Sequence, residues 1–148
     1  MVALMDVDGT LISPEPLPAF LLEAAAQVAR DLGLNANWLN NGPSRDEGGL
    51  FQLGLPVGLG DRLTKQVFGP RLTVCFIGRL DQIHFKLYAA ADQRDPTHMG
   101  DLRSLNPTDT ELEVAARWAM THDVSEPFRE VLQQLLKEMG HDSVAQNI

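Results

Sequence analysis

The chain has 148 residues and a formal net charge of −8, since 20 Asp and Glu outnumber 12 Lys and Arg. This length predicts one domain over 1–148. The acidic balance, without clusters of basic residues, argues against general nucleic-acid binding. No apolar run approaches the ~20 residues of a membrane span. A single cysteine, Cys75, and the lack of a signal-peptide pattern predict a cytoplasmic protein.

The first elements are a strand and a helix. The run from Val2 to Val7 has the apolar, alternating character of a short buried strand, which we expect Gly9-Thr10 to end. Pro18 then suits the first turn of a helix through "AFLLEAAAQVARDLG", which Gly33 ends. A helical turn is expected around "NANWLNN", followed by a mobile loop in "GPSRDEGG".

The segment "RLTKQVFGPRLTVCFIG" predicts a β-hairpin around Gly69-Pro70, with an interior second strand that buries Cys75. Helices are expected through "RLDQIHFKLYAAADQ" and "THMGDLRSL", because apolar residues recur at helical spacing. Thr108 and Glu111 form the capping box of a further helix, and another runs from Ser125 to Gly140. The sequence therefore predicts an α/β or α+β fold, with a small mixed sheet, packed helices and a helical C-terminal half.

The pattern Asp6-Val7-Asp8 is the strongest candidate for a reaction centre. Residues two apart on a strand face the same side, so the two carboxylates are expected about 7 Å apart. Mg²⁺ is the natural ligand for such a pair, because it binds carboxylates together with substrate phosphates. This favours metal-assisted phosphoryl or nucleotidyl transfer. The alternative is a local turn in which Asp8 accepts hydrogen bonds from nearby backbone amides.

The stretch "VALMDVDGTLI" resembles the first motif of the haloacid-dehalogenase-like phosphohydrolases, an apolar strand that ends in D-x-D-G-T. The resemblance implies that Asp6 attacks phosphorus and that Asp8 acts as acid and base. The resemblance to this family does not extend beyond the motif. Neither Gly60-Asp61 nor Gly100-Asp101 follows an apolar strand with the second acid that the family places there.

A second resemblance covers nearly the whole chain. The order of "DVDG", "LNANWLNNGPS", "GLPVGL", "GRLDQIHFKLYAAADQR", "DLRSLNPTDTELEVAARW" and "FREVLQQLL" is similar to small bacterial proteins of the nucleotidyltransferase fold, related in pattern to the AbiEii-type abortive-infection toxins. The resemblance implies that Asp6 and Asp8 bind Mg²⁺ and a nucleoside triphosphate. It also implies substrate-binding roles for Lys86 and for Asp101.

The sequence departs from that family at two places. Five residues precede Asp6, so the Gly-Gly or Gly-Ser turn that grips the phosphates has no counterpart. The strand "RLTVCFIG" carries no third carboxylate, and the nearest acid is Asp81. The chain is therefore interpreted as a shortened member of the fold, with its activity left open. We expect an exposed edge beside the D-x-D strand, which a second copy covers in a homodimer.

Other residues have ordinary structural interpretations beside the functional ones. On a helical wheel Lys86 falls on the polar face, which favours a solvated lysine over a phosphate contact, and His84 is interpreted as a satisfied core-edge histidine. Trp38 and Trp118 are predicted core anchors. The remaining histidines are too scattered to predict a zinc site. A non-catalytic binding or interaction protein is the third functional hypothesis.

Overall fold

The computed structural model describes residues 2–5, 9–12, 16–45 and 54–148. These residues combine helices with a mixed sheet, which confirms the predicted α+β class. The chain divides into two compact units, which we call the sheet unit (1–78) and the helical unit (79–148). The prediction of a single domain over 1–148 stays a prediction, and each unit is described by itself.

Within the described residues, five strands form one sheet in the order β3-β2-β1-β5-β4. Their bounds are β1 Val2–Met5, β2 Gly9–Ile12, β3 Leu39–Asn40, β4 Thr64–Phe68 and β5 Leu72–Phe76. Strand β1 pairs antiparallel with β2 and parallel with β5. The first strand of the chain is therefore central in the sheet.

Two predictions about this sheet are wrong. Gly9-Thr10 begins β2 instead of ending a strand, because Gly9–Ile12 pairs antiparallel with β1, with Gly9 opposite Met5. The expected open edge beside the D-x-D strand is also wrong, since β1 has a neighbouring strand on each side. That edge was the reason for predicting a homodimer, and the dimer itself stays an untested prediction.

The β4–β5 hairpin is confirmed. Gly69 has φ of 66° in the connecting turn, a left-handed conformation that glycine adopts without steric cost. β5 is interior to the sheet as predicted, whereas β4 lies at an edge with all its residues exposed. Cys75 is half-buried, and so less enclosed than predicted.

Helix α1, Ala19–Leu32, begins after Pro18 and ends at Gly33, whose φ is 65°. Its start and its end agree with the prediction. After it, Trp38 donates its indole N–H to the backbone oxygen of Ala25 over 2.9 Å and is half-buried, which supports an anchoring role.

The predicted turn around "NANWLNN" is present, since the backbone N–H of Trp38 donates to the backbone oxygen of Asn35 over 3.0 Å. The end of the same segment was not expected to be a strand, but it forms β3 and pairs with β2. A four-residue helix, α2 Gly42–Arg45, forms at the start of the predicted loop "GPSRDEGG", and the rest of that segment lies outside the described residues. Ser44 fixes this helix by donating a buried hydrogen bond to the backbone oxygen of Leu11 over 3.2 Å.

The helical unit contains the following described helices: α3 Arg79–Gln93, α4 Pro96–Ser104, α5 Asp109–His122, α6 Glu126–Glu138 and α7 Asp142–Asn147. The side chains of Asp95, Thr108 and Ser125 cap α4, α5 and α6 by accepting backbone N–H groups, and the capping box of Thr108 and Glu111 is confirmed. The sequence analysis missed α7.

One apolar cluster holds these helices together. Its members share spacings of three and four residues along each helix, so each helix turns one stripe inward. The fully buried side chains include Ile83, Leu87, Leu102, Leu112, Leu132 and Leu136. The predicted stripe of α3 is confirmed by Ile83, Leu87 and Ala91.

Candidate functional site

The D-x-D motif falls between two strands of known register. β1 ends at Met5 and β2 begins at Gly9, and these two residues are paired. Asp6 and Asp8 themselves lie outside the described residues. Their predicted spacing of carboxylates, and their predicted role as metal ligands, therefore stay predictions. What is established is that the motif follows a central strand of the sheet.

The other two predicted site residues contact one another. Lys86 lies in the middle of α3 and Asp101 near the middle of α4, two helices that pack together. The Lys86 Nζ atom lies 2.6 Å from Asp101 Oδ2. Lys86 directly precedes the fully buried Leu87, and Asp101 directly precedes the fully buried Leu102. The packing of the two helices through these leucines therefore brings the charged side chains together.

The side chain of Lys86 is 14% exposed. The expectation of a solvated lysine is therefore wrong: α4 packs beside α3 on the face that the helical wheel treated as open. A lysine that is largely removed from water needs polar partners, because the desolvation of an ammonium group is costly. Asp101, whose side chain is 34% exposed, is one such partner.

A further charged residue of α3, Asp81, is fully buried. Asp81 lies in the first turn of α3 with 0% exposure, where the partial positive charge of the helix N-terminus favours a negative group. His84, one turn later, is 3% exposed and its Nδ1 lies 2.7 Å from the backbone oxygen of Leu80. The structure thus supports the interpretation of His84 as a satisfied core histidine.

Asp81 and His84 belong to a second buried face of α3, together with Phe85 and Tyr88. This face packs against Trp118 of α5, with ring centroids 5.5 Å apart for His84, 5.6 Å for Phe85 and 6.0 Å for Tyr88. The prediction of Trp118 as an anchor agrees with these contacts. The helical spacing of residues 81, 84, 85 and 88 places them on one face. The apolar pattern of the sequence did not indicate this face because Asp81 and His84 are polar.

Arg79 fixes the start of α3. Its guanidinium forms an ion pair with Glu111 and donates hydrogen bonds to the backbone oxygens of Leu105 and Asn106. The hydrogen bond from Arg79, with further help from Thr108, lowers the pKa of the Glu111 carboxyl to about 2. Arg79 therefore joins α3 to the loop before α5, and in this way fixes the helix that carries Lys86.

The predicted metal ligands, Asp6 and Asp8, lie outside the described residues. Among the described residues, no group of three or more His, Cys, Asp or Glu is placed to hold a metal ion. The donor chemistry of Asp6 and Asp8, two hard carboxylates, fits Mg²⁺. The residues that could hold the ion are therefore these two aspartates.

The chain matches no protein-family model, no curated protein and no solved structure. Its relation to the nucleotidyltransferase fold thus remains a prediction from the sequence. In the part of the chain that the structure describes, no helix is long and apolar enough to cross a membrane.

Proposed function

We propose that the chain is a nucleotidyltransferase-like protein that uses a Mg²⁺-bound nucleoside triphosphate. In this proposal Asp6 and Asp8 hold the metal, Lys86 and Asp101 contribute to nucleotide binding, and a nucleotide is transferred to an acceptor. The observation that carries the proposal is the Lys86–Asp101 contact of 2.6 Å, because the resemblance implies substrate-binding roles for both residues and their side chains lie together.

An ordered lysine is a suitable phosphate ligand. Its ammonium is a compact charge with three N–H donors, and phosphate binding by lysine is common in proteins. The contact with Asp101 holds the flexible side chain of Lys86 in place. Less side-chain entropy is then lost when a phosphate binds, which favours affinity.

The metal and the two aspartates have separate tasks. A bound Mg²⁺ supplies positive charge that neutralises phosphate oxygens during transfer. Asp6 and Asp8 supply the negative oxygens that hold and orient the ion. A cytoplasmic location belongs to the same proposal, because the single cysteine cannot form a disulfide within the chain, as is usual for proteins of a reducing compartment.

Isothermal titration of the full chain with Mg²⁺ and ATP, and then with Mg²⁺ and CTP, tests the proposal. We expect binding in the wild type, loss of binding in the Asp6→Asn, Asp8→Asn double variant, and weaker binding in Lys86→Gln. Asp31→Asn and Lys137→Gln are matched controls, since both residues are exposed in other helices. Equal binding by wild type and double variant would contradict the metal assignment.

The alternative hypotheses give different results in companion assays. Transfer of label from an α-labelled triphosphate to an acceptor, lost in the double variant, supports the transferase. Capture of beryllium fluoride on Asp6 supports the phosphohydrolase hypothesis instead. If the protein binds neither Mg²⁺ nor nucleotide, the non-catalytic hypothesis is favoured. Sedimentation at micromolar concentration separately tests the homodimer.

A further inference from the structure

A cleft of about 410 Å³ lies within the helical unit, where the end of α3 meets α4 and α6. Its volume is in the range of about 300–1,000 Å³ that is usual for small-molecule sites. The lining includes four apolar residues and two arginines: Ala90, Met99, Val131, Leu135, Arg94 and Arg103. Neither Lys86 nor Asp101 lines it, so this cleft is separate from the site discussed above.

The apolar and basic parts of the lining differ in exposure. Ala90 and Met99 are buried, at 1% and 8% exposure, and Val131 and Leu135 are half-buried. Arg94 and Arg103 are exposed. The cleft therefore has an apolar inner wall and cationic groups at its solvent side, an arrangement that suits a ligand with an apolar part and a polar head.

The acidic groups of the lining already have partners on their own helices. Asp95 Oδ1 accepts the backbone N–H of Thr97 over 2.8 Å, and this hydrogen bond lowers the pKa of the Asp95 carboxyl. Glu138 Oε1 accepts from Gln134 Nε2 over 2.9 Å. Each contact uses one carboxylate oxygen, so both groups have a structural partner and keep their negative charge.

The side chains of Arg94 and Arg103 form few hydrogen bonds within the protein. Arg103 donates a long hydrogen bond of 3.4 Å to the backbone oxygen of Glu138. The side chain of Arg94 forms no hydrogen bond or ion pair within the described structure. Each guanidinium has five N–H donors in a planar arrangement that matches the oxygens of a phosphate or a carboxylate. The unused donors therefore favour an anionic head group.

The backbone of Arg94 gives a second indication. Its φ is 54°, in the left-handed region that is uncommon for residues other than glycine. It directly follows the last residue of α3, a position where helices often end with glycine because no side chain then strains the backbone. The chain thus carries a guanidinium at the cleft where a glycine would be more favourable for folding.

We propose that this cleft binds a small organic anion, with its phosphate or carboxylate head on Arg94 and Arg103 and its apolar part against Met99 and Val131. This site does not depend on the proposed nucleotide chemistry. It would exist whether or not Asp6 and Asp8 bind a metal.

Phenyl phosphate is the probe, titrated into the full chain while the methyl resonances of Met99, Val131 and Leu135 are recorded by NMR. We expect saturable shifts at these methyl groups. Arg94→Gly and Arg103→Ala should each weaken binding about tenfold, the loss expected for a charge-assisted hydrogen bond. Arg129→Ala, an exposed arginine of α6 outside the cleft, should bind like the wild type.

Arg94→Gly separates binding from folding. Because glycine suits a positive φ, its melting temperature should equal or exceed that of the wild type while binding is weakened. Inorganic phosphate and benzyl alcohol should each bind more weakly than phenyl phosphate. The proposal is overturned if millimolar phenyl phosphate leaves these methyl groups unshifted, if both arginine variants bind like the wild type, or if inorganic phosphate binds equally well.

Discussion

Among the residues whose burial the structure describes, the helical unit has the larger buried apolar cluster. In the helical unit every helix contributes to one cluster, and residues such as Leu112 and Leu132 are fully buried. In the sheet unit Phe20 is 73% exposed, Leu32 69% and Val67 69%. Since hydrophobic stabilisation scales with the apolar area removed from water, the described core of the helical unit is the better candidate for the most stable part of the protein.

The largest expected effect comes from the core of the helical unit. Leu132→Ala removes a fully buried side chain from α6 and should lower the free energy of unfolding by about 2–5 kcal/mol. Val67→Ala, in the exposed edge strand, is the matched control and should change it by less than about 1 kcal/mol. Urea unfolding followed by fluorescence measures both, and similar losses would contradict the difference between the units.

Loss of the Lys86–Asp101 ion pair between α3 and α4 should lower the free energy of unfolding by an intermediate amount. Asp101→Ala leaves the largely buried ammonium of Lys86 without this partner and should cost about 1–2 kcal/mol, with allowance for the partial exposure of Asp101. The Lys86→Met, Asp101→Leu double variant should recover part of that loss, because no charge is then left in the contact. Additive losses in a double-mutant cycle would show that the two residues are not coupled.

The side-chain cap of α5 is expected to contribute somewhat less to the free energy of unfolding. Thr108→Ala removes the side-chain oxygen that accepts the backbone N–H of Glu111, at a cost of about 1 kcal/mol. Thr110→Ala changes an exposed residue of the same helix and should be nearly neutral. Chemical unfolding of the two variants compares them, and equal stabilities would contradict the capping role.

The smallest effect is a pH dependence. Folding lowers the pKa of Glu111 from 4.5 to about 2, so the folded state binds fewer protons there. Its contribution is therefore full well above pH 4.5 and is lost as the pH falls towards 2. Glu111→Gln should show a smaller loss of stability over this interval than the wild type. Identical pH profiles from 6 to 2.5 would contradict the role of the Arg79–Glu111 pair.

The same comparison explains which features the sequence could predict. Helices α3 to α6 follow local rules, such as the apolar spacing of Ile83 and Leu87 and the capping box of Thr108, so their positions were predicted closely, whereas α7 was missed. The sheet depends on pairing between distant segments. Strand β2 was missed although its partner β1 is close in sequence, because Gly9-Thr10 was interpreted as the end of a strand. Strand β3 was missed because its partner β2 lies far away in the sequence.

The candidate site, too, could be predicted from the sequence only in part. The sequence resemblance named both Lys86 and Asp101. The helical wheel nevertheless predicted a solvent-exposed Lys86, because a wheel of one helix does not include the helix that packs beside it. The complete burial of Asp81 was missed for the same reason, since packing against other helices decides it. A helical pattern thus gives the face of a residue, whereas tertiary packing gives its solvent exposure.

The most direct test of the central claim is a Mn²⁺ titration observed by electron paramagnetic resonance, because Mn²⁺ accepts the carboxylate ligands that suit Mg²⁺. The wild type with ATP is expected to bind one Mn²⁺ that Mg²⁺ displaces, and the Asp6→Asn, Asp8→Asn variant is expected to lose that ion while remaining folded. Equal Mn²⁺ binding by the two proteins, or none by the wild type, would contradict a metal site at these aspartates.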